Sequence, residues 1–155
     1  MVKIERAQER HIPDIIEIWK EFMDFHKERD SFFTRSKEGH VKFEEYLKEV
    51  MTSERAQVLV ALEEKKMIAY LLASIAEHPP VFERSTYGSI NDLAVKREHR
   101  RQEIGSRLLT QVQEWFSQHG VKRIEVRVAT ENEVAVSFWR KHGFKEYLKR
   151  MYREL

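Results

Sequence analysis

Between Asn91 and Leu109 the chain passes from an apolar run through a basic turn to a single glycine, and then into helical spacing. Leu93-Ala94-Val95 reads as the end of a strand, and Lys96, Arg97, His99, Arg100 and Arg101 crowd the turn that follows. Ile104, Leu108, Leu109, Val112 and Trp115 then recur at intervals of three and four, the periodicity of an amphipathic helix. A strand that feeds a helix through a short turn leaves the first N–H groups of that helix without internal partners. These groups carry about half a positive charge and invite an anion. Arginines placed just before such a start add charge and donors for phosphate oxygens. Few sequences constrain a fold this tightly, because strand, cradle and helix must follow one another within twenty residues.

The rest of the chain supplies a mixed sheet with helices on it. Val2–Ala7 alternates as a short first strand, and Ile12, Ile15, Ile16, Trp19, Phe22, Met23 and His26 mark a helix whose first turn tolerates Pro13. Asp30–Thr34 reads as a loop, and a second helix over Gly39–Met51 buries Phe43, Tyr46, Leu47 and Val50. Gln57–Leu62 and Met67–Ile75 are apolar strands joined by a turn at Glu63–Lys66. His78-Pro79-Pro80 breaks the chain before the strand Tyr87–Val95. The helix after the basic turn stops at Gly120, Arg123–Ala129 alternates as a strand, and Asn132 caps a helix that Gly143 closes. Lys145–Arg153 is expected as a last strand. The order is β-α-α-β-β-β-α-β-α-β in one domain over residues 1–155, an α/β (α+β mixed sheet) class.

Composition narrows the function classes. At 155 residues, with 41% hydrophobic and 35% charged side chains, the chain can bury roughly two thirds of its unfolded surface and is not disordered. It has no apolar run near the roughly 20 residues of a membrane span and no signal-peptide core, so no membrane partner and a cytoplasmic location are expected. Zero cysteines remove disulfides, thiolate metal sites and a cysteine nucleophile, and the seven histidines show no ligand spacing; no metal is expected. A net charge of +2 argues against nucleic acid as the main partner. A dinucleotide-binding oxidoreductase would need Gly-x-Gly-x-x-Gly in an early turn, and the loop offers Gly105 alone.

Leu93-Ala94-Val95 followed by Arg100-Arg101-Gln102-Glu103-Ile104-Gly105 resembles motif A of the GNAT superfamily of N-acetyltransferases, whose pyrophosphate loop reads Arg/Gln-x-x-Gly-x-Gly/Ala. Glu103 stands where that family usually has its first glycine. Asn132-Glu133-Val134-Ala135-Val136-Ser137-Phe138-Trp139, ending in Gly143-Phe144, resembles motif B, with matches at Asn132, Ala135, Phe138, Gly143 and Phe144. Together the two cover roughly residues 87 to 147. The resemblance implies the GNAT-like acyl-CoA N-acyltransferase fold and acetyl-CoA as co-substrate. It implies that the backbone of Leu93, Ala94 and Val95 holds the pantetheine arm and helps polarise the thioester. Arg100, Arg101, Gln102, Glu103, Ile104, Gly105 and Ser106 would hold the pyrophosphate, with Asn132 on the far side of the cofactor.

The reaction implied is attack of a primary amine, on a small molecule or a protein, upon the acetyl carbonyl. That attack needs a base and often an acid for the thiolate. Strict alternation would put Ser89, Asn91, Leu93 and Val95 on one face, and Ile90, Asp92 and Ala94 on the other. Family members with a carboxylate base on this strand place it on the Ser89 and Asn91 face, which would turn Asp92 away. Asn91 can hold a water but not act as a base, and Glu83, His78 and His26 are substitutes by chemistry alone. Trp139 stands where the resemblance expects the tyrosine acid, and an indole N–H yields no proton near neutral pH. The region from residue 22 to 46 is expected to choose the acceptor, with His26, Asp30 and Phe33 as candidates. Beside the enzyme stands an alternative, a non-enzymatic module of the same fold that binds acyl-CoA, and a homodimer is compatible with either.

Overall fold

A computed structural model describes residues 1–100 and 102–155. Among the described residues five strands, β1 (Val2–Arg6), β2 (Ala56–Glu63), β3 (Lys66–Glu77), β4 (Thr86–Val95) and β5 (Ile124–Val126), lie in the order β1-β2-β3-β4-β5. The first four pair antiparallel and β5 pairs parallel to β4. The α-helices among the described residues cover them: α1 (Ile12–Arg29), α2 (Gly39–Val50), α3 (Ile104–Gln118) and α4 (Glu133–Lys141). Among the described residues no helix is long and apolar enough to cross a membrane.

Alternation within the strands makes two cores. Val58, Val60, Tyr70, Leu72 and Ala94 face Ile12, Ile15, Ile16 and Ile18 of α1 with Phe43 and Leu47 of α2. Leu59, Ala61, Leu71, Ala73 and Ile90 face Ile104, Leu108, Leu109, Val112 and Phe116 of α3 with Trp139 of α4. Strands β2 and β3 are therefore apolar on both faces, as a central strand covered on each side must be. Gly88 is dictated by this second core: a Cβ there would stand 2.6 Å from the ring of Phe116.

The register carries the feature that shapes the site. Leu72 opposes Asp92 and Ala73 opposes Ile90, so Asn91 is an extra residue without a partner on β3. A bulge of this kind puts two successive side chains on one side and reverses the alternation beyond it. The strict alternation expected from the sequence is therefore corrected. Gly88, Ile90, Leu93 and Val95 face α3, whereas Ser89, Asn91, Asp92 and Ala94 face the α1/α2 layer. Polar side chains fix the bulge, since Ser89 Oγ donates to Asn91 Oδ1 (2.8 Å) and Asn91 Nδ2 donates to Ser74 Oγ (3.1 Å).

Two expectations about the end of the chain change. The strand expected over Arg123–Ala129 pairs only at Ile124–Val126, because β4 turns away after Ile90. Residues 145–153 form no strand. Their apolar side chains come as adjacent couples, Tyr147-Leu148 and Met151-Tyr152, and couples four apart give an extended segment no single apolar face to lay on a sheet. The segment is tied down by Tyr147, whose hydroxyl donates to Glu125 Oε1 at 2.6 Å.

Candidate functional site

Ladder bonds beside the bulge decide which backbone groups are free. Lys96 N–H donates to Ile68 O (2.8 Å), so two and four residues earlier Ala94 and Asp92 also turn their N–H and C=O toward β3. Leu93 and Val95 turn theirs to the opposite edge. Strand β5 pairs with β4 only along Gly88–Ile90, so that edge is open from Asn91 to Val95. It is a cleft walled by strand backbone, fit to accept an extended chain bearing amides as an added strand.

The cleft leads to the start of α3. Glu103 precedes the helix with φ 60° and ψ 20°, the left-handed region that a glycine enters without cost. This accounts for the family's glycine at that place: the turn needs the conformation, and here a glutamate adopts it with its side chain exposed. Arg107 N–H donates to Glu103 O (3.1 Å) as the first turn closes, leaving the N–H groups of Ile104, Gly105 and Ser106 at the helix start. Gly105 answers a different demand, because a Cβ there would lie 3.1 Å from Phe138 of α4 and 3.8 Å from Leu93. The close approach of α3 to α4 thus depends on it. Ser106 Oγ and His142 Nε2, 3.0 Å apart, join the same two helices.

Helix α1 braces this end of the cleft. Arg97 N–H donates to Glu21 (2.9 Å), and the guanidinium of Arg100 lies 4.9 Å from the ring of Phe25, which also carries Arg29 at 3.4 Å. Arg100 Nε donates to Val95 O at 3.3 Å, on the open edge. Gln102 is exposed beside it; Arg101, the other arginine expected to hold phosphate, lies outside the described residues. Asn132 is 5% exposed and caps α4, its Oδ1 accepting from Ala135 N–H (3.1 Å). That leaves its Nδ2 to donate to His26 Nε2 (3.3 Å), while His26 Nδ1 donates to Phe22 O (2.9 Å). The hydrogen bonds therefore fix the Nδ1–H tautomer and link α1 to α4.

The three acceptor candidates do meet at the end of α1. Phe33 packs edge-on to His26 with ring centres 5.4 Å apart, and Asp30 Oδ1 accepts from Phe32 N–H (3.0 Å) to start the next turn. Each also serves the local structure: the histidine as a link, the aspartate as a cap. Trp139 is 7% exposed and packs against Phe138 and Phe144, with ring centres 5.0 Å from each. It sits in the α3-side core, where an indole fills volume.

The reversed alternation brings Asp92 into the α1/α2 layer, contrary to the expectation that it turns away. Its Oδ2 accepts from the hydroxyl of Tyr70 at 2.8 Å. Burial raises its carboxyl to about 6, with the tyrosine bond working the other way. Tyr46 of α2, half exposed, has its own phenol raised by burial and by the charge of Asp92. From the sequence Tyr46 was expected only as a buried residue of its helix, whereas it is 42% exposed; Tyr70 was not singled out, although one signal was there: a tyrosine inside the aliphatic run Met67–Ile75 needs a partner for its hydroxyl once buried. His78 is occupied elsewhere, 2.6 Å from Glu125 and stacked on Tyr87, with ring centres 4.0 Å apart. Burial opposes the charge of Glu125, but bonds from Arg123, Tyr147 and His78 outweigh it and hold the carboxyl at about 2. Among the described residues no three histidine or acidic side chains converge as a metal would require.

Comparison with known proteins agrees with this geometry. A model described as the acetyltransferase (GNAT) family matches residues 12–144. An uncharacterized N-acetyltransferase, YobR of Bacillus subtilis, is 33% identical over 67 residues, which are 43% of this chain and 27% of that protein. The chain thus matches about a quarter of that relative's length. An aminoglycoside acetyltransferase from an uncultured soil metagenomic sample, solved with sisomicin, shares 25% identity with a TM-score of 0.72, over 99% of this chain and 96% of that one. Aminoglycoside N-acetyltransferase AAC(6')-Iy, solved with CoA, superposes over 100% of this chain and 95% of its own with a TM-score of 0.73 at 15% identity. With its open β4 edge, its left-handed turn before α3 and a family match over most of its length, the chain belongs to the acetyltransferase (GNAT) family.

Proposed function

We propose that the protein is an acetyl-CoA-dependent N-acetyltransferase acting on a primary amine. The observation that carries this reading is the opening of β4 from β5 after Ile90, which leaves the backbone of Leu93 and Val95 without a strand partner beside the N-terminus of α3. The chain fits the co-substrate: the pantetheine arm would lie along the open strand edge, and the pyrophosphate would meet the N–H groups of Ile104, Gly105 and Ser106, with Arg100 and Gln102 available beside them. Glu103 shapes the turn by its backbone. Asn132 holds the start of α4 on the other side of the cleft. Release of the Arg100 contact to Val95 O frees that carbonyl for the arm.

The acceptor enters from the α1/α2 side, where Asp92 lies next to the bulge. Its nitrogen attacks the acetyl carbonyl carbon, and the proton it sheds passes to Asp92. The C–S bond then breaks, and water protonates the departing thiolate. A carboxylate with a value near 6 is ionised at neutral pH yet a stronger base than a free one, which suits the task. Asn91 holds a polar chain from Ser89 to Ser74 beside it. His26, Asp30 and Phe33 line the approach, and the sisomicin complex of the soil enzyme supports a multiply aminated small molecule as the first acceptor class to try.

Free-thiol release from acetyl-CoA against a panel of primary amines tests this reading, with mass spectrometry of the acetylated product. Acetyl transfer to at least one amine, abolished by heat denaturation, is expected. Tight CoA binding without transfer to any amine would leave the non-enzymatic acyl-CoA-binding module in its place.

A further inference from the structure

Resting on the assignment of Asp92 as the base, we propose that Tyr70 is its positioning residue, pinning one carboxylate oxygen so that the other is left for the acceptor amine. Tyr70 is fully buried on β3, opposite Ala94, two residues along β4 from Asp92. Its hydroxyl reaches Asp92 Oδ2 at 2.8 Å, and ring packing holds it in place, with Phe43 of α2 6.5 Å away between ring centres. The phenol is a donor to an ionised carboxylate, so its hydrogen bond favours the charged form of Asp92 against the burial that disfavours it. Tyr70 itself resists ionisation, because burial and the charge of Asp92 both raise it well above the usual phenol range. A tyrosine so placed keeps its proton and works as a fixed donor across the working pH range.

The other groups around the carboxylate do not duplicate this role. From α2, Tyr46 feels the charge of Asp92 from a half-exposed position. From α1, the side chains in the same core are apolar: Ile12, Ile15, Ile16 and Ile18, with Trp19 and Phe22 packed against them. The bulge at Asn91 is what brings Asp92 onto the Tyr70 side at all. Without the extra residue, Asp92 would share the α3 face with Ile90. The inference is therefore about a pair made by two strands: β4 supplies the base by slipping one residue, and β3 supplies the donor that orients it.

The pH dependence of kcat/KM, on an amine that the thiol-release assay identifies, tests the proposal in wild type, Tyr70→Phe and Asp92→Asn. The wild type should lose activity as pH falls through about 6. In Tyr70→Phe the carboxylate loses a stabilising donor, its pKa rises, and the acid limb should move to roughly pH 7 or above, one hydrogen bond to a charged group being enough for that. Activity at pH 9, where Asp92 is ionised in both proteins, should recover to within about tenfold, the allowance for a base no longer held in one orientation. A residue that only supported the fold would lower activity at every pH and leave the limb in place. An unmoved limb in Tyr70→Phe, beside an inactive Asp92→Asn, overturns the role of Tyr70 alone. Full activity in Asp92→Asn overturns the base assignment and this proposal with it. Carbon-13 NMR of the Asp92 carboxyl reads the same shift without turnover. If Tyr70→Phe does not fold, 3-fluorotyrosine at position 70, a stronger donor, should move the limb the other way, and a limb that stays put would overturn the proposal.

Discussion

A glutamate in a left-handed conformation is strained, and Glu103 holds that conformation at the start of α3. A non-glycine residue there costs about 1–2 kcal/mol. An acidic side chain near a helix N-terminus returns only about 0.3–1 kcal/mol, and less when exposed. Strain wins, so Glu103→Gly is expected to raise stability by about 1 kcal/mol, a gain of about 2–4 °C in Tm for a domain of this size. Glu103→Ala, which keeps the strain and loses the charge, should lower it. Thermal melts of the two variants check the sign, and a stabilised alanine variant would show that the carboxylate, not the backbone, is the problem. At this scale the sequence was legible where a residue's job is set by its neighbours along the chain: the basic turn and the cap at Asn132. It was silent where the job is set across the sheet. Asp92 could be named, but its orientation depends on an extra residue at Asn91 that no local propensity announces, and Tyr70 gains its meaning only from that change.

The tightest connection in the sheet joins β2 and β3 through Glu64 and Lys65, with φ 50° and 69°. Two successive positive values match the right-handed twist of a hairpin and suit an asparagine followed by a glycine, which this chain does not use there. Introducing that dipeptide, through Glu64→Asn combined with Lys65→Gly, should stabilise the protein by about 1 kcal/mol. Urea unfolding reads this as a higher midpoint at an unchanged slope. A lower midpoint would mean that the charged side chains contribute more than the backbone loses. The elements themselves were readable from periodicity, since each helix shows its stripe and each central strand its unbroken apolar run. Boundaries of the outer elements were not. Alternation suggests seven residues for β5, but a strand is limited by its partner, and β4 departs after Ile90. The last segment offers apolar couples rather than an apolar face, and it stays outside the sheet although it carries two strand-favouring tyrosines, Tyr147 and Tyr152.

The described residues form one sheet with α1 and α2 on one face and α3 and α4 on the other, and the function proposed above rests on a fault in that sheet. At the bulge, β4 swings its acid to the α1/α2 face and parts from β5. The sides proposed for acceptor and co-substrate thereby meet at one place. The account requires the free N–H groups of β4 and α3 to be the ones that CoA takes. Amide hydrogen exchange resolved to single residues, with and without saturating CoA, measures this directly. Leu93, Val95, Gly105 and Ser106 should slow by more than about tenfold, as amides that gain hydrogen bonds do, while Asp92 and Ala94, already bonded to β3, should change little. Bound CoA that leaves Leu93 and Val95 exchanging at their free rates would contradict the account.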